Sequence, residues 1–396
     1  MLGGSAQQVP AIQKAKDLGF DTILIDYLPD NPGQFIADKW YQESTTDIES
    51  VYKIAKDEKV SGILAYASDP AALPSAIVCE RLGLPTNPAK SVEILGVKHQ
   101  FRKFLKENGF PCPSVFIFSP SQSLEEIKNE ISNLKFPIVI KPTDSSGSKG
   151  VSFLNDLSQL PQAIKFAEGY SRNKILIAEE FIERGFPFVI GGDIFINNGE
   201  IILLGDMAAL REEDGKGLIP VGEKFPNGLT KKQKKSIFNE LQHIINILNI
   251  KNGEFNIEFL LDGNDVPYIL ELGPRAGGNM IPIQLSDIYG INLIEANIKA
   301  SMGEKVCLSP QEPSEAFMTY VLHSQKDGIF QGVEFSPEIE KFIYRKVIYK
   351  KEGDRVEAFD GAGKALGIVF MKFPDEEVMN NYLKQIKLHI NIKVCQ

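Results

Sequence analysis

Residues 253–282, GEFNIEFLLDGNDVPYILELGPRAGGNMIP, decide how this chain reads. Asn256–Leu261 and Tyr268–Leu272 are runs of strand-forming residues, and Asp262-Gly263-Asn264-Asp265 between them is a turn. Each run holds one carboxylate among apolar neighbours: Glu258 between Ile257 and Phe259, and Glu271 between Leu270 and Leu272. A charge in such a place is costly unless something compensates it. Two carboxylates on paired strands offer the oxygen ligands that a hard divalent cation takes. Arg275 follows four residues after Glu271 with a permanently charged fork suited to phosphate or carboxylate. The trio reads as a metal–polyphosphate site; a structural ion pair between Arg275 and one glutamate is the alternative.

A chain of 396 residues has room for two or three domains. A net charge of −9 with no basic block argues against a general nucleic-acid binder. No apolar run is long enough to span a bilayer, and the opening MLGGS is not a secretory signal, so no membrane partner is expected. Cys79, Cys112, Cys307 and Cys395 are scattered, which fits a reducing cytoplasm and neither a disulfide framework nor a zinc site.

Residues 1 to about 95 alternate strand and helix patterns: helices Val9–Leu18, Ile48–Glu58 and Ala71–Leu82, strands Thr22–Asp26 and Gly62–Tyr66. That alternation implies a doubly wound parallel α/β domain. Gly3-Gly4-Ser5 is the βα turn after a first strand reduced to Met1 and Leu2, and it lacks a dinucleotide fingerprint. Proline marks a boundary at Leu84–Pro88, and Val92–Asn108 reads as one helix containing Lys98. Next, Phe136–Pro142 is a strand closed by Lys141, and the small residues of Thr143–Gly150 expose backbone N–H groups able to wrap a phosphate chain. Ile175–Glu183 is a strand whose end has the side chains and main-chain groups to flank a purine. Asn197-Asn198-Gly199 turns a hairpin. Residues 208–228 read as a mobile glycine-rich loop carrying Arg211 and Lys216; Lys231–Leu248 and Ile283–Met302 read as helices. The tail holds strands Phe317–His323, Lys346–Lys350 and Ala365–Phe370 and a helix Glu376–Ile386.

In this order the motifs resemble the ATP-grasp superfamily along essentially the whole chain. The resemblance rests on Lys98 ahead of a helix ending in GFPCP, FPIVIKP with Lys141, the Ser/Gly flap, AEEFIERG, GEFNIEF with Glu258, and LELGPRAGGNMIP. GGNMIP is similar to the corresponding stretch of bacterial L-amino-acid ligases, and the tail is similar to that of the biotin-carboxylase branch. The resemblance implies an N-terminal α/β domain (1–95), an ATP-grasp domain of two α+β lobes (96–178 and 179–303) and an α+β C-terminal part (304–396).

It also implies ATP and Mg2+ as cofactors, with Mn2+ a possible substitute. Lys98 and Lys141 are then phosphate contacts, with Ser146, Gly147 and Gly150 in the flap. Glu179, Glu180, Phe181 and Ile182 line the adenine pocket, and Glu183 or Asp193 meets the ribose. Glu258 and Glu271 hold the metal, while Arg275, with Lys141, serves the chemistry. One departure is Gly273, where many members carry a metal-binding Asn; Asn256 and Asn279 are candidates to replace it. The expected activity is a carboxylate–amine ligase acting on small molecules, and a homodimer is the assembly the resemblance implies. A bicarbonate-using carboxylase and a non-catalytic ATP binder are the alternatives.

Overall fold

The computed structural model describes residues 1–211 and 219–395. The N-terminal segment comprises α1 (Val9–Asp17), β1 (Ile23–Ile25), β2 (Lys39–Tyr41), α2 (Ile48–Asp57) and α3 (Asp69–Leu82). β1 and β2 pair in parallel, and Leu2 adds one parallel bridge to Ile25. The expected strand Gly62–Tyr66 forms no ladder: Leu64 accepts a single bond from the Leu2 N–H at 3.0 Å, because the first strand is too short to pair further. The helix expected over Val92–Asn108 is two, α4 (Ala89–Gly96) and α5 (Lys98–Glu107), broken at an extended Val97. Lys98 therefore opens a helix instead of lying within one.

The next layer contains β3 (Val115–Phe118), α6 (Leu124–Ile131), β4 (Ile138–Pro142), β5 (Ser152–Leu154), α7 (Leu160–Glu168) and β6 (Leu176–Glu180). Its antiparallel sheet runs β3-β6-β4-β5, and α6 and α7 cover it through Ile127, Ile131, Leu160 and Ala163. The turn between β4 and β5 is the expected flap, with Ser148, Gly147 and Gly150 at positive φ.

A larger sheet follows from β7 (Val189–Asn197), β8 (Glu200–Arg211), β9 (Pro220–Phe225), α8 (Lys231–Ile247), β10 (Gly253–Leu261) and β11 (Pro267–Gly273). After α9 (Ile281–Tyr289) and α10 (Leu293–Ser301) come β12 (Ala316–Leu322), β13 (Gly328–Phe335), α11 (Pro337–Glu340), β14 (Ile343–Ile348), β15 (Arg355–Val356), β16 (Gly367–Phe373), α12 (Glu376–Leu383), α13 (Ile386–His389) and β17 (Ile390–Cys395). The order β11-β10-β7-β8-β9-β12-β16-β14 makes one eight-stranded sheet, and β15-β13-β17 a small second one. α8 starts with a Thr230/Gln233 capping box and buries Ile237, Leu241 and Ile244 against the β7 and β10 face.

Two expectations are corrected here. Residues 208–228 are not one loop: Ala208–Leu210 pair with Gly222–Lys224 as strand. The small residues that read as loop are there for close approach, since a Cβ on Gly222 (φ +153°) would stand 2.1 Å from the Thr319 carbonyl oxygen. Lys216 lies outside the described residues. The helix expected over 283–302 divides at Gly290 (φ +63°), a left-handed C-cap. Among the described residues no helix is long and apolar enough to cross a membrane.

Candidate active site

Glu258 and Glu271 are Cα partners across β10 and β11, with a register shift immediately after Glu258. Directly opposed residues of an antiparallel pair hold their Cβ atoms about 5 Å apart, so both carboxylates serve one place. Each meets a side-chain cation. Glu258 pairs with Arg211, which stands at the end of β8, and Glu271 lies 3.7 Å from the Lys98 Nζ. Two hard oxygen donors with side-chain exposures of 32% and 27% fit a divalent cation in exchange with those ammonium and guanidinium groups. Among the described residues no group of three acidic, His or Cys side chains forms a fuller cage.

Lys98 also donates to the Ser145 carbonyl at 2.7 Å, which ties α5 to the flap. One turn on, Arg102 is buried at 1% exposure and donates through Nε to Glu179 (2.8 Å) and through Nη2 to the Leu270 carbonyl (2.9 Å). Lys141 reaches the other Glu179 oxygen at 2.5 Å. Glu179 is thus clamped between two cations. Burial alone would raise its pKa, but Arg102 and Lys141 overcome that and hold it at about 2. Burial lowers the pKa of Lys141, with Glu179 opposing the shift. The Glu179 side chain therefore faces Lys141 and Arg102, and its main chain lies in the sheet between β3 and β4.

Arg275 has a partner that the sequence left open. Neither glutamate pairs with it; Asp69 at the start of α3 does, bidentately, with Nε to Oδ1 at 2.7 Å and Nη2 to Oδ2 at 2.8 Å. Burial opposes ionisation of both groups, but Arg275 keeps the Asp69 pKa low and Asp69 raises that of Arg275. Asp69, Lys98, Ser146, Arg172, Glu271 and Gly273 all line one cleft of about 470 Å³ that opens to solvent.

At the other end of β6, the Glu180 carboxylate accepts from the Lys135 N–H (2.7 Å), and the Glu180 and Phe181 N–H groups are taken by the Ser114 and Pro137 carbonyls. Phe181 is 38% exposed and stacks edge-on against Phe153. Ile182 is half-buried and Glu183 exposed. Asp193 is fully buried, accepting from Asn256 and the Gly277 N–H at 2.9 Å each, away from any solvent-side ribose, and the Asn256 amide nitrogen is bonded to it and to the Gly192 carbonyl. The Asn279 N–H is bound by Gln7.

Arg102 and Asp69 were missed in the sequence. Arg102 left a signal, a cation between Phe101 and Phe104 on the apolar face of a helix, four residues from Lys98. Asp69 left none, because its partner lies 206 residues away.

The sequence model described as "Carbamoyl-phosphate synthase L chain, ATP binding domain" matches residues 97–308, more than half of the chain. The chain belongs to that family. This family member has the ATP-grasp fold. Over 371 residues it is 25% identical to the carbamoyl phosphate synthase large chain of Caldanaerobacter subterraneus, covering 90% of this chain and 33% of that one. The large chain of Pseudothermotoga lettingae is 26% identical over 337 residues, 83% of this chain and 28% of its own. The family member thus spans about a third of the length of the curated relatives it matches. Among solved structures, L-amino acid ligase from Bacillus licheniformis superposes with a TM-score of 0.81 at 18% identity, over 100% of this chain and 98% of that one. Phosphoribosylglycinamide synthetase from Anaerococcus prevotii gives 0.77 at 20% identity, over 100% and 98%. The biotin carboxylase domain of Hydrogenobacter thermophilus 2-oxoglutarate carboxylase, solved with MgADP and bicarbonate, gives 0.77 at 17%, over 100% and 90%.

Proposed function

We propose that this protein is an ATP- and Mg2+-dependent ligase that joins a small carboxylate to an amine. The supporting observation is Glu271 in one cleft with Lys98 and Ser146, with Glu258 opposite it across the strand pair and Arg275 paired to Asp69 of that cleft. A carboxylate is a poor electrophile because its charge repels nucleophiles. Its oxygen attacks the γ-phosphorus of ATP, the bond to the β-phosphate bridging oxygen breaks, and ADP leaves. The amine lone pair then adds to the acyl-phosphate carbon, inorganic phosphate departs with the C–O bonding pair, and the amine proton passes to solvent. A bound Mg2+ supplies charge neutralisation along the phosphate chain.

The protein's part is positioning and charge. Lys98 and Lys141 contact the phosphates, and the flap of Ser146, Gly147 and Gly150 closes over them. The strand end at Glu179–Ile182 carries the adenine, with Glu183 on the ribose side. Glu258 and Glu271 hold the metal. Arg275 stabilises the oxyanion formed when the amine adds. Closure keeps water from the acyl phosphate. The division into residues 1–95, 96–303 and 304–396 belongs to the same reading.

Carboxylate labelled with 18O tests the chemistry. One label per turnover in the released phosphate is expected, and unlabelled phosphate would refute an acyl phosphate. A second reading, activation of bicarbonate, is favoured by the relatives whose names include carbamoyl phosphate synthase and by the neighbour solved with bicarbonate. It predicts ADP release with bicarbonate and no added carboxylic acid.

A further inference from the structure

Gly273 and Asp69 stand where the ATP-grasp pattern and the sequence offered no role. A Cβ on Gly273 would lie 3.4 Å from the Arg275 Cζ and 3.5 Å from its Nη1. The guanidinium is therefore folded back over the strand, at ordinary contact distance from position 273. The fold-back is fixed at both ends: the Arg275 N–H donates to the Gly273 carbonyl at 2.8 Å, and Nη1 donates to the Ala276 carbonyl at 3.1 Å.

We propose that Asp69 is the positioning residue of Arg275, so that the start of α3 completes a site built at the end of β11.

An arginine has five N–H donors. Asp69 takes the Nε–Nη2 edge, the edge that grips carboxylates bidentately, and Ala276 takes one N–H of Nη1. Two N–H groups remain, one on Nη1 and one on Nη2, to meet a developing oxyanion, while the Nε–Nη2 edge is held by Asp69.

The inference rests on the ligase reading only where turnover is concerned, so its test has a readout independent of turnover. In the full chain labelled with 15N-arginine, the Arg275 Nε–H resonance is assigned by its loss in Arg275→Lys. Slow solvent exchange is expected in the wild type, fast exchange in Asp69→Asn, and slow exchange again in Asp69→Glu. An unchanged Nε–H in Asp69→Asn would overturn the proposal. In turnover, Asp69→Asn is expected to lower kcat about 10- to 100-fold, as for a small misplacement of a reacting group. KM for ATP should hold, and Asp69→Glu should restore part of the rate. A wild-type kcat in Asp69→Asn would also overturn it. Should Asp69→Asn not fold, Asp69→Ser carries the exchange measurement, with the same fast exchange expected. If the wild type releases no ADP with any acid and amine, the ligase reading fails and the exchange data alone decide the positioning.

Discussion

Replacing Arg102 by Met keeps an apolar stem of similar length in α5 and removes one of the two cations that hold Glu179. Glu179 is 5% exposed, and its fall from 4.5 to about 2 corresponds, at about 1.4 kcal/mol per pH unit, to about 3 kcal/mol. Lys141 remains, but the buried carboxylate then carries its burial cost against one partner. Removing one member of a buried pair costs about 3–5 kcal/mol, and the Arg102→Met variant is expected in that range near pH 7. The sign with pH follows from a folded value below the unfolded one. The stabilisation is present above pH 4.5 and lost as pH falls towards 2. The variant should therefore lose part of the wild-type acid limb. Urea denaturation at pH 7 and pH 4, with the Glu179→Gln single and double variants, closes the cycle. A coupling below about 1 kcal/mol at pH 7, the level of exposed pairs, would refute the clamp.

Other outcomes follow from the same geometry. Glu271→Gln should abolish ADP release while leaving the thermal unfolding midpoint within a few degrees, because the side chain is part-exposed at the cleft; retained turnover would remove it from the metal site. Glu223 is buried and pushed up to about 8, first by burial, with the Arg211 charge opposing. Its folded value exceeds the unfolded one, so stability should fall as pH rises from 4.5 through 8, by up to about 1.4 kcal/mol per pH unit. Glu223→Gln should flatten that slope in pH-dependent denaturation. Gly192→Ala should destabilise by about 3 kcal/mol or more in urea, as its Cβ would lie 1.9 Å from the Gly205 carbonyl oxygen at φ +130°.

The central hairpin was legible because apolar runs with one acid each, joined by an Asp-Gly turn, allow few other folds. The ordered motifs gave the ATP-grasp fold in the same way. The turn alone would set Glu258 against Leu270; the register shift after Glu258, which sets it against Glu271, was not legible. What stayed hidden depended on distance along the chain. Asp69 meets Arg275, and Arg102 meets Glu179, only through tertiary packing; the first pairing leaves no local pattern and the second only a cation on the apolar face of α5. β9 was read as loop because its Pro and Gly serve close strand approach, a contact with β12 that local propensity does not register. Val97 broke a helix that periodicity ran through, and the break brings the Lys98 N–H onto the Thr143 carbonyl. β13 and β17 pair across the tail with glycines at a register shift, which blurs their alternation.

The most direct test is ADP release from Mg2+-ATP across a matrix of amino and other carboxylic acids crossed with amines. The account predicts release that needs one acid and one amine together and stops when Mg2+ is removed. Nucleotide binding without release in any combination, or release driven by bicarbonate alone, would contradict it.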